Sequence, residues 1–148
     1  MIAIKKILLV EDSARDAELI LDALGAYQVA NGITHVRDGA DALDYLNRRG
    51  EFAGRAEDQP ALILLDLKLP KVDGLEVLRQ IKSDPALRMI PVVMMTSSRQ
   101  EQDLVHSYQL GVNAYVVKPL KFQDFVEAVK QVAGFWAVIN EVPTDVRS

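Results

Sequence analysis

The chain has 148 residues, 49% hydrophobic and 26% charged, which is the size of one ordinary domain and the composition of a folded globular protein. Its 17 basic and 21 acidic residues leave a net charge of −4 without a long Lys or Arg run, which argues against bulk electrostatic binding to nucleic acid or to an anionic membrane. With 0 cysteines there is no disulfide framework, thiolate nucleophile or Cys-based zinc site, which fits a reducing, cytoplasmic setting, and the amino-terminal stretch through Asp12, broken by Lys5 and Lys6, is neither a signal peptide nor a spanning helix.

Short apolar runs alternate with amphipathic stretches along the chain. Ile7–Val10 reads as a first strand, followed after Ser13 by a helix with Ala17, Ile20, Leu21 and Leu24 at helical spacing that stops at Gly25. Ile33–Val36 is half polar and reads as an edge strand, and Asp41–Leu46 as a short second helix. The connection Asn47–Pro60 is 14 residues long, which is uncommon unless functional or mobile; it is either a tolerated surface insertion or a partner-contact loop. Ala61–Leu65 is the third strand, and Gly74–Lys82 a third helix carrying Leu75, Leu78 and Ile81 that ends at Ser83-Asp84-Pro85. Pro91–Met95 is the fourth strand and Gln102–Leu110 a helix with Leu104, Val105 and Tyr108, closed by Gly111. Ala114–Val117 is the fifth strand, and a last helix runs from Phe122 to about Val138 with Phe125, Val126, Val129 and Val132 in one stripe.

A βα order repeated five times, with continuous apolar runs in the strands, predicts an α/β fold: a doubly wound, open parallel sheet covered on both faces with right-handed crossovers. A closed barrel would need eight such units.

In an open parallel sheet, ligands bind beyond the carboxyl ends of the strands. Those ends carry Glu11-Asp12, Asp66, Thr96-Ser97 and Lys118-Pro119. Three carboxylates, a hydroxyl and an ammonium therefore converge on one rim. Crowded carboxylates repel unless a cation lies among them, and few oxygen ligands with room for water suit Mg2+. Asp66 can act as a nucleophile and form an aspartyl phosphate, with Mg2+ and Lys118 neutralising the transferred group and Thr96 donating a hydrogen bond to it. Each element alone has a plainer reading. Glu11-Asp12 could simply start a helix, Asp66 could end a strand, Thr96 could cap a helix and Lys118 could be a solvated cation. Five such residues at four strand ends argue against coincidence.

Together with Leu69-Pro70, Asp73-Gly74 and Ala114-Tyr115, these residues resemble the receiver domain of two-component response regulators, over Lys5 to Val132. The resemblance implies the flavodoxin-like (βα)5 fold with strand order 2-1-3-4-5, and a receiver domain over 5–134. It implies that Asp66 accepts a phosphoryl group from a sensor histidine kinase. Asp12 would ligate Mg2+ directly, with Mn2+ as an alternative, Glu11 would act through water, and the Lys68 carbonyl and Asp66 would complete the set. Lys118 would pair with the phosphoryl group, and its bond to Pro119 would be cis. Thr96 would move towards the phosphoryl oxygen, and Tyr115 would swing inward, changing the face built by the fourth helix, fifth strand and fifth helix. Gly74 would allow a tight turn into the third helix. The only enzymic activity implied is Mg2+-dependent self-phosphorylation and self-dephosphorylation.

Rival classes fail on particular residues. No Walker loop or GxGxxG is present, and a flavin phosphate loop after the first strand would meet Glu11-Asp12. A haloacid-dehalogenase-type phosphatase needs an acid two positions after its nucleophile, where this chain has Lys68. His35 and His106 are too far apart in the expected fold to form a metal pair and read as structural or surface residues. A phosphorylation-independent interaction module of the same fold remains the second class of function. The long connection and the apolar segment Phe135–Pro143 are similar to stand-alone regulators that serve phytochrome kinases. The extension 135–148, with Phe135 and Trp136, either folds back or joins the fourth helix, fifth strand and fifth helix in a homodimer.

Overall fold

The computed structural model describes residues 6–25, 32–56, 58–97, 106, 108–118, 121 and 123–124. Five parallel strands, β1 (Ile7–Val10), β2 (Ile33–Val36), β3 (Leu62–Asp66), β4 (Val92–Thr96) and β5 (Ala114–Val117), form one sheet in the order β2-β1-β3-β4-β5. This is the expected doubly wound sheet. Helices α1 (Ala14–Gly25), α2 (Gly39–Asn47) and α3 (Gly74–Ser83) alternate with the strands.

The apolar runs divide between the two faces because successive side chains in a strand point in opposite directions. Ile7, Leu9, Leu62, Leu64, Val93, Met95, Ala114 and Val116 pack with Ala17 and Ile20 of α1. Leu8, Val10, Ile63, Leu65, Val92 and Met94 pack instead with α2 and α3 through Leu43, Leu46, Val77, Leu78 and Ile81. Burying such side chains on both faces, at about 1.5–3 kcal/mol each, is what holds the sheet between its helices. At the edge, β2 is only half-buried up to Val36, which explains its polar sequence.

Two strands lie one residue later than the apolar runs indicate. Pro91 has no N–H for the ladder and only accepts a hydrogen bond from Ile63, so β4 begins at Val92 and ends at Thr96. The Ala61 N–H goes to the carbonyl of Lys6, and β3 runs on to Asp66, which pairs with Met95. Both residues of interest therefore occupy the last rung of a strand rather than a loop. Helix α2 likewise starts at Gly39, two residues before the expected Asp41, because the Asp38 side chain caps it by accepting from the Asp41 N–H at 2.8 Å.

The Asn47–Pro60 connection is folded onto its own domain. Arg48 closes α2 in the left-handed conformation, a short 3-10 turn covers Gly50–Phe52, and Phe52 meets the edge of the Tyr45 ring at 5.2 Å. Arg55 lies 4.0 Å over the same ring and donates to the carbonyls of Tyr45 and Asp58 and to Gln59 Oε1. Gln59 in turn donates to the Leu46 carbonyl at 2.8 Å. Arg55 organises the segment, while Arg48, Arg49, Glu51, Ala53 and Gly54 stay exposed.

His106, Tyr108, Gln109, Gln123 and Asp124 are helical, where the fourth and fifth helices were expected. The rest of those helices, the Lys118–Pro119 peptide bond and the extension 135–148 with Phe135 and Trp136 lie outside the described residues.

Candidate functional site

The carboxyl ends of β1, β3, β4 and β5 bring the expected residues to one rim. Glu11 follows β1, and its backbone N–H is held by the Val36 carbonyl at 3.0 Å. Its side chain is fully buried, at 0% exposure, beside Asp66 at 5%, while Asp12 is exposed. One carboxylate oxygen from each of the three lies within 4.8 Å of the others. Three acids of one sign at this separation form a natural place for a hard divalent cation, with Asp12 on the open side.

Lys118 supplies the positive charge. Its Nζ stands 2.8 Å from Glu11 Oε1 and 3.3 Å from Asp66 Oδ2, and its backbone N–H donates to the Thr96 carbonyl at 2.7 Å. Thr96, 1% exposed, is thus fixed beside Lys118 at the end of β4. Burial raises the Asp66 carboxyl most, the Glu11 carboxylate raises it further by charge and hydrogen bonding, and Lys118 only partly compensates, so that its pKa lies at about 7. Burial pulls the Lys118 ammonium down, but its bonds to Asp16 and Glu11 and the nearby charge of Asp66 outweigh that and hold it above its ordinary value. A carboxylate this strained by its surroundings is one that a cation would stabilise.

The acceptor strand leads into a tight turn. A Cβ on Gly74 would lie 2.2 Å from the Asp66 carbonyl oxygen and 2.6 Å from that of Leu67, and the Gly74 N–H donates to the Leu67 carbonyl at 3.0 Å. Close approach, rather than a left-handed backbone, explains the glycine. Between these residues Lys68 is exposed, and Lys71 adopts a left-handed φ of 68° with its ammonium 3.5 Å from Asp38. The Gly39 N–H donates to the Pro70 carbonyl, which ties the loop after β3 to the start of α2. Tyr115 in β5 is half-buried and meets the edge of the exposed Tyr108 ring at 5.6 Å.

One neighbour of the site was not anticipated from sequence, and one read there as structural or surface lies against it. Asp16 of α1 pairs with Lys118 at 2.8 Å, and the half-buried His35 places Nε2 2.8 Å from the Glu11 carbonyl oxygen. The Ser13-x-x-Asp16 spacing was the available sign for Asp16, since it sets that carboxylate in the first turn of a helix whose start faces the rim.

A parallel sheet of this order with an acidic cluster and a lysine at its carboxyl ends defines a receiver. Residues 7–130 match the family described as the response regulator receiver domain, and the chain belongs to it. The chain is 42% identical over 139 residues to the response regulator Rcp1 of Synechocystis, covering 94% of this chain and 93% of that protein. The solved structure of the bacteriophytochrome response regulator RtBRR is 61% identical with a TM-score of 0.83, over 95% of this chain and 85% of that one. The phosphorylated cyanobacterial phytochrome response regulator RcpA is 48% identical with a TM-score of 0.78, over 90% and 94%. Rcp1 has been solved in a Mn2+-bound form.

Proposed function

We propose that this chain is a stand-alone response regulator whose Asp66 accepts a phosphoryl group from the phosphohistidine of a sensor histidine kinase. The observation that carries the reading is the buried Asp66 carboxylate, at the last rung of β3, set between Glu11 and the Lys118 ammonium. In the transfer, an Asp66 oxygen bonds to phosphorus as the phosphorus–nitrogen bond breaks, and the electron pair returns to the kinase imidazole. Asp12, Asp66 and the Lys68 carbonyl would hold the divalent cation, Mg2+ or Mn2+, with Glu11 acting through water, and the bound cation would neutralise charge on the phosphoryl oxygens. Lys118 pairs with one of those oxygens, and the Thr96 hydroxyl donates to another. The Thr96 movement lets Tyr115 leave Tyr108 and turn inward, which reshapes the β5 face.

The similarity to Rcp1, RtBRR and RcpA supports a phytochrome as the kinase. The absence of cysteine supports a cytoplasmic setting. The apolar segment Phe135–Pro143 supports a homodimer formed with the β5 face, and signalling through protein contacts rather than through nucleic acid.

Incubation with acetyl phosphate and Mg2+, read by intact mass, adds one phosphoryl group to the wild type and none to Asp66→Ala. EDTA abolishes the labelling. A labelled Asp66→Ala variant overturns the assignment of the acceptor, and labelling undiminished by EDTA overturns the metal role.

A further inference from the structure

Lys118 has three N–H donors, and three carboxylates meet them: Glu11 at 2.8 Å, Asp16 at 2.8 Å and Asp66 at 3.3 Å. The acceptor is therefore the most distant of the three partners. Asp16 is the third residue after Ser13, where a carboxylate ordinarily turns back to the N–H of the capping residue. Here only half of that arrangement forms. The Ser13 hydroxyl accepts from the Asp16 N–H at 3.2 Å, but the Ser13 N–H is taken by Glu11 Oε2 at 3.1 Å. The Asp16 carboxylate is thereby released from the cap and turned to the ammonium, where it is largely covered, at 23% exposure.

From this geometry we propose that Asp16 is a positioning residue that holds Lys118 back from the acceptor and so disfavours the phosphorylated state. The inference rests on reading Asp66 as the acceptor and Lys118 as the cation that pairs with its phosphoryl group. Phosphorylation converts the Asp66 carboxylate into an acyl phosphate and moves its charge outward onto phosphoryl oxygens, so the ammonium must follow. A short side chain on the first turn of α1 cannot move with it. Asp16 then either loses its ion pair or keeps the ammonium from the phosphoryl group, and it faces a new dianion of its own sign in both cases. A contact available in one state and strained in the other shifts the balance towards the first.

The test is a titration with acetyl phosphate at saturating Mg2+, read by intact mass, on wild type, Asp16→Asn and Asp16→Glu. Asp16→Asn is expected to reach half-phosphorylation at a roughly three- to tenfold lower acetyl phosphate concentration, as loss of one partly buried ion pair implies. The resulting aspartyl phosphate should decay more slowly once donor is removed. Asp16→Glu restores the charge and returns both quantities towards wild type. An unchanged or higher half-point in an Asp16→Asn protein of normal melting temperature overturns the proposal; if that variant does not fold, Asp16→Ser is read by the same criterion. The 15N–1H signal of the Lys118 ammonium separates this inference from the one beneath it. A wild type that is never labelled, with a signal that still moves on Asp16→Asn, overturns the phosphoacceptor reading and leaves the ion pair standing. A signal that does not move removes the pair and the proposal with it.

Discussion

Asp66 is buried at the end of its own strand and faced by Glu11, and Lys118 offsets only part of the cost of its charge. Its carboxyl is raised from 3.8 to about 7, so the folded protein binds that proton more tightly than the unfolded chain does. The sign follows directly. The stability this group contributes is present below its unfolded pKa and is lost as pH rises through the folded value, whereas Lys118, shifted upward from 10.5, loses its contribution only in alkali. In EDTA the melting temperature is therefore expected to fall between pH ~5 and pH ~8. Asp66→Asn should remove most of that slope and melt higher at the upper end, and Mg2+ should lessen the fall in the wild type. Differential scanning fluorimetry across the range checks all three. At this scale the sequence named Glu11, Asp12, Asp66, Thr96 and Lys118, because each follows or ends an apolar run at a strand end. It did not name Asp16 and read His35 only as a structural or surface residue, because a carboxylate in a first helical turn and a polar residue on an edge strand have ordinary uses. Only their distances to Lys118 and to the Glu11 carbonyl distinguish them.

The loops after β2 and β3 pack closely against backbone at two glycines. A Cβ on Gly39 would come within 1.9 Å of the Val72 carbonyl oxygen, and one on Gly74 within 2.2 Å of that of Asp66, both against backbone that has little freedom to withdraw. Gly39→Ala and Gly74→Ala should each destabilise the fold by about 2–3 kcal/mol, measured by urea unfolding. Gly74→Ala should also slow labelling by acetyl phosphate, since the atom it displaces belongs to the acceptor residue. The existence and order of the strands were readable from their apolar runs. Their ends shifted where hydrogen bonding outweighed hydropathy, at Pro91 and at Asp66. The Asn47–Pro60 connection showed only its length and its turn residues in sequence. That Arg55 would stack on Tyr45 and organise the segment depends on contacts between α2 and residues well beyond it, which no local pattern encodes.

On the scale of the whole molecule, the sheet gathers residues from both ends of the chain to one rim, so a charge change there acts directly on β4 and β5. If output passes through the β5 face and the segment Phe135–Pro143, sedimentation velocity at high micromolar concentration should show a dimer, and replacing Phe135 and Trp136 together by Ser should yield a monomer that still labels on Asp66. A wild-type monomer, phosphorylated or not, removes the dimer. The sequence by itself determined the alternation of strands and helices, the doubly wound class and the acids, hydroxyl and lysine at the strand ends, because these follow from local periodicity and from the rule that parallel strands carry function at their carboxyl ends. Tertiary structure alone decided which carboxylates share the Lys118 ammonium, that burial and Glu11 together raise Asp66, and that Asp16 joins the site from α1. Charge interactions depend on distance and burial in space, and neither is a property of position along the chain.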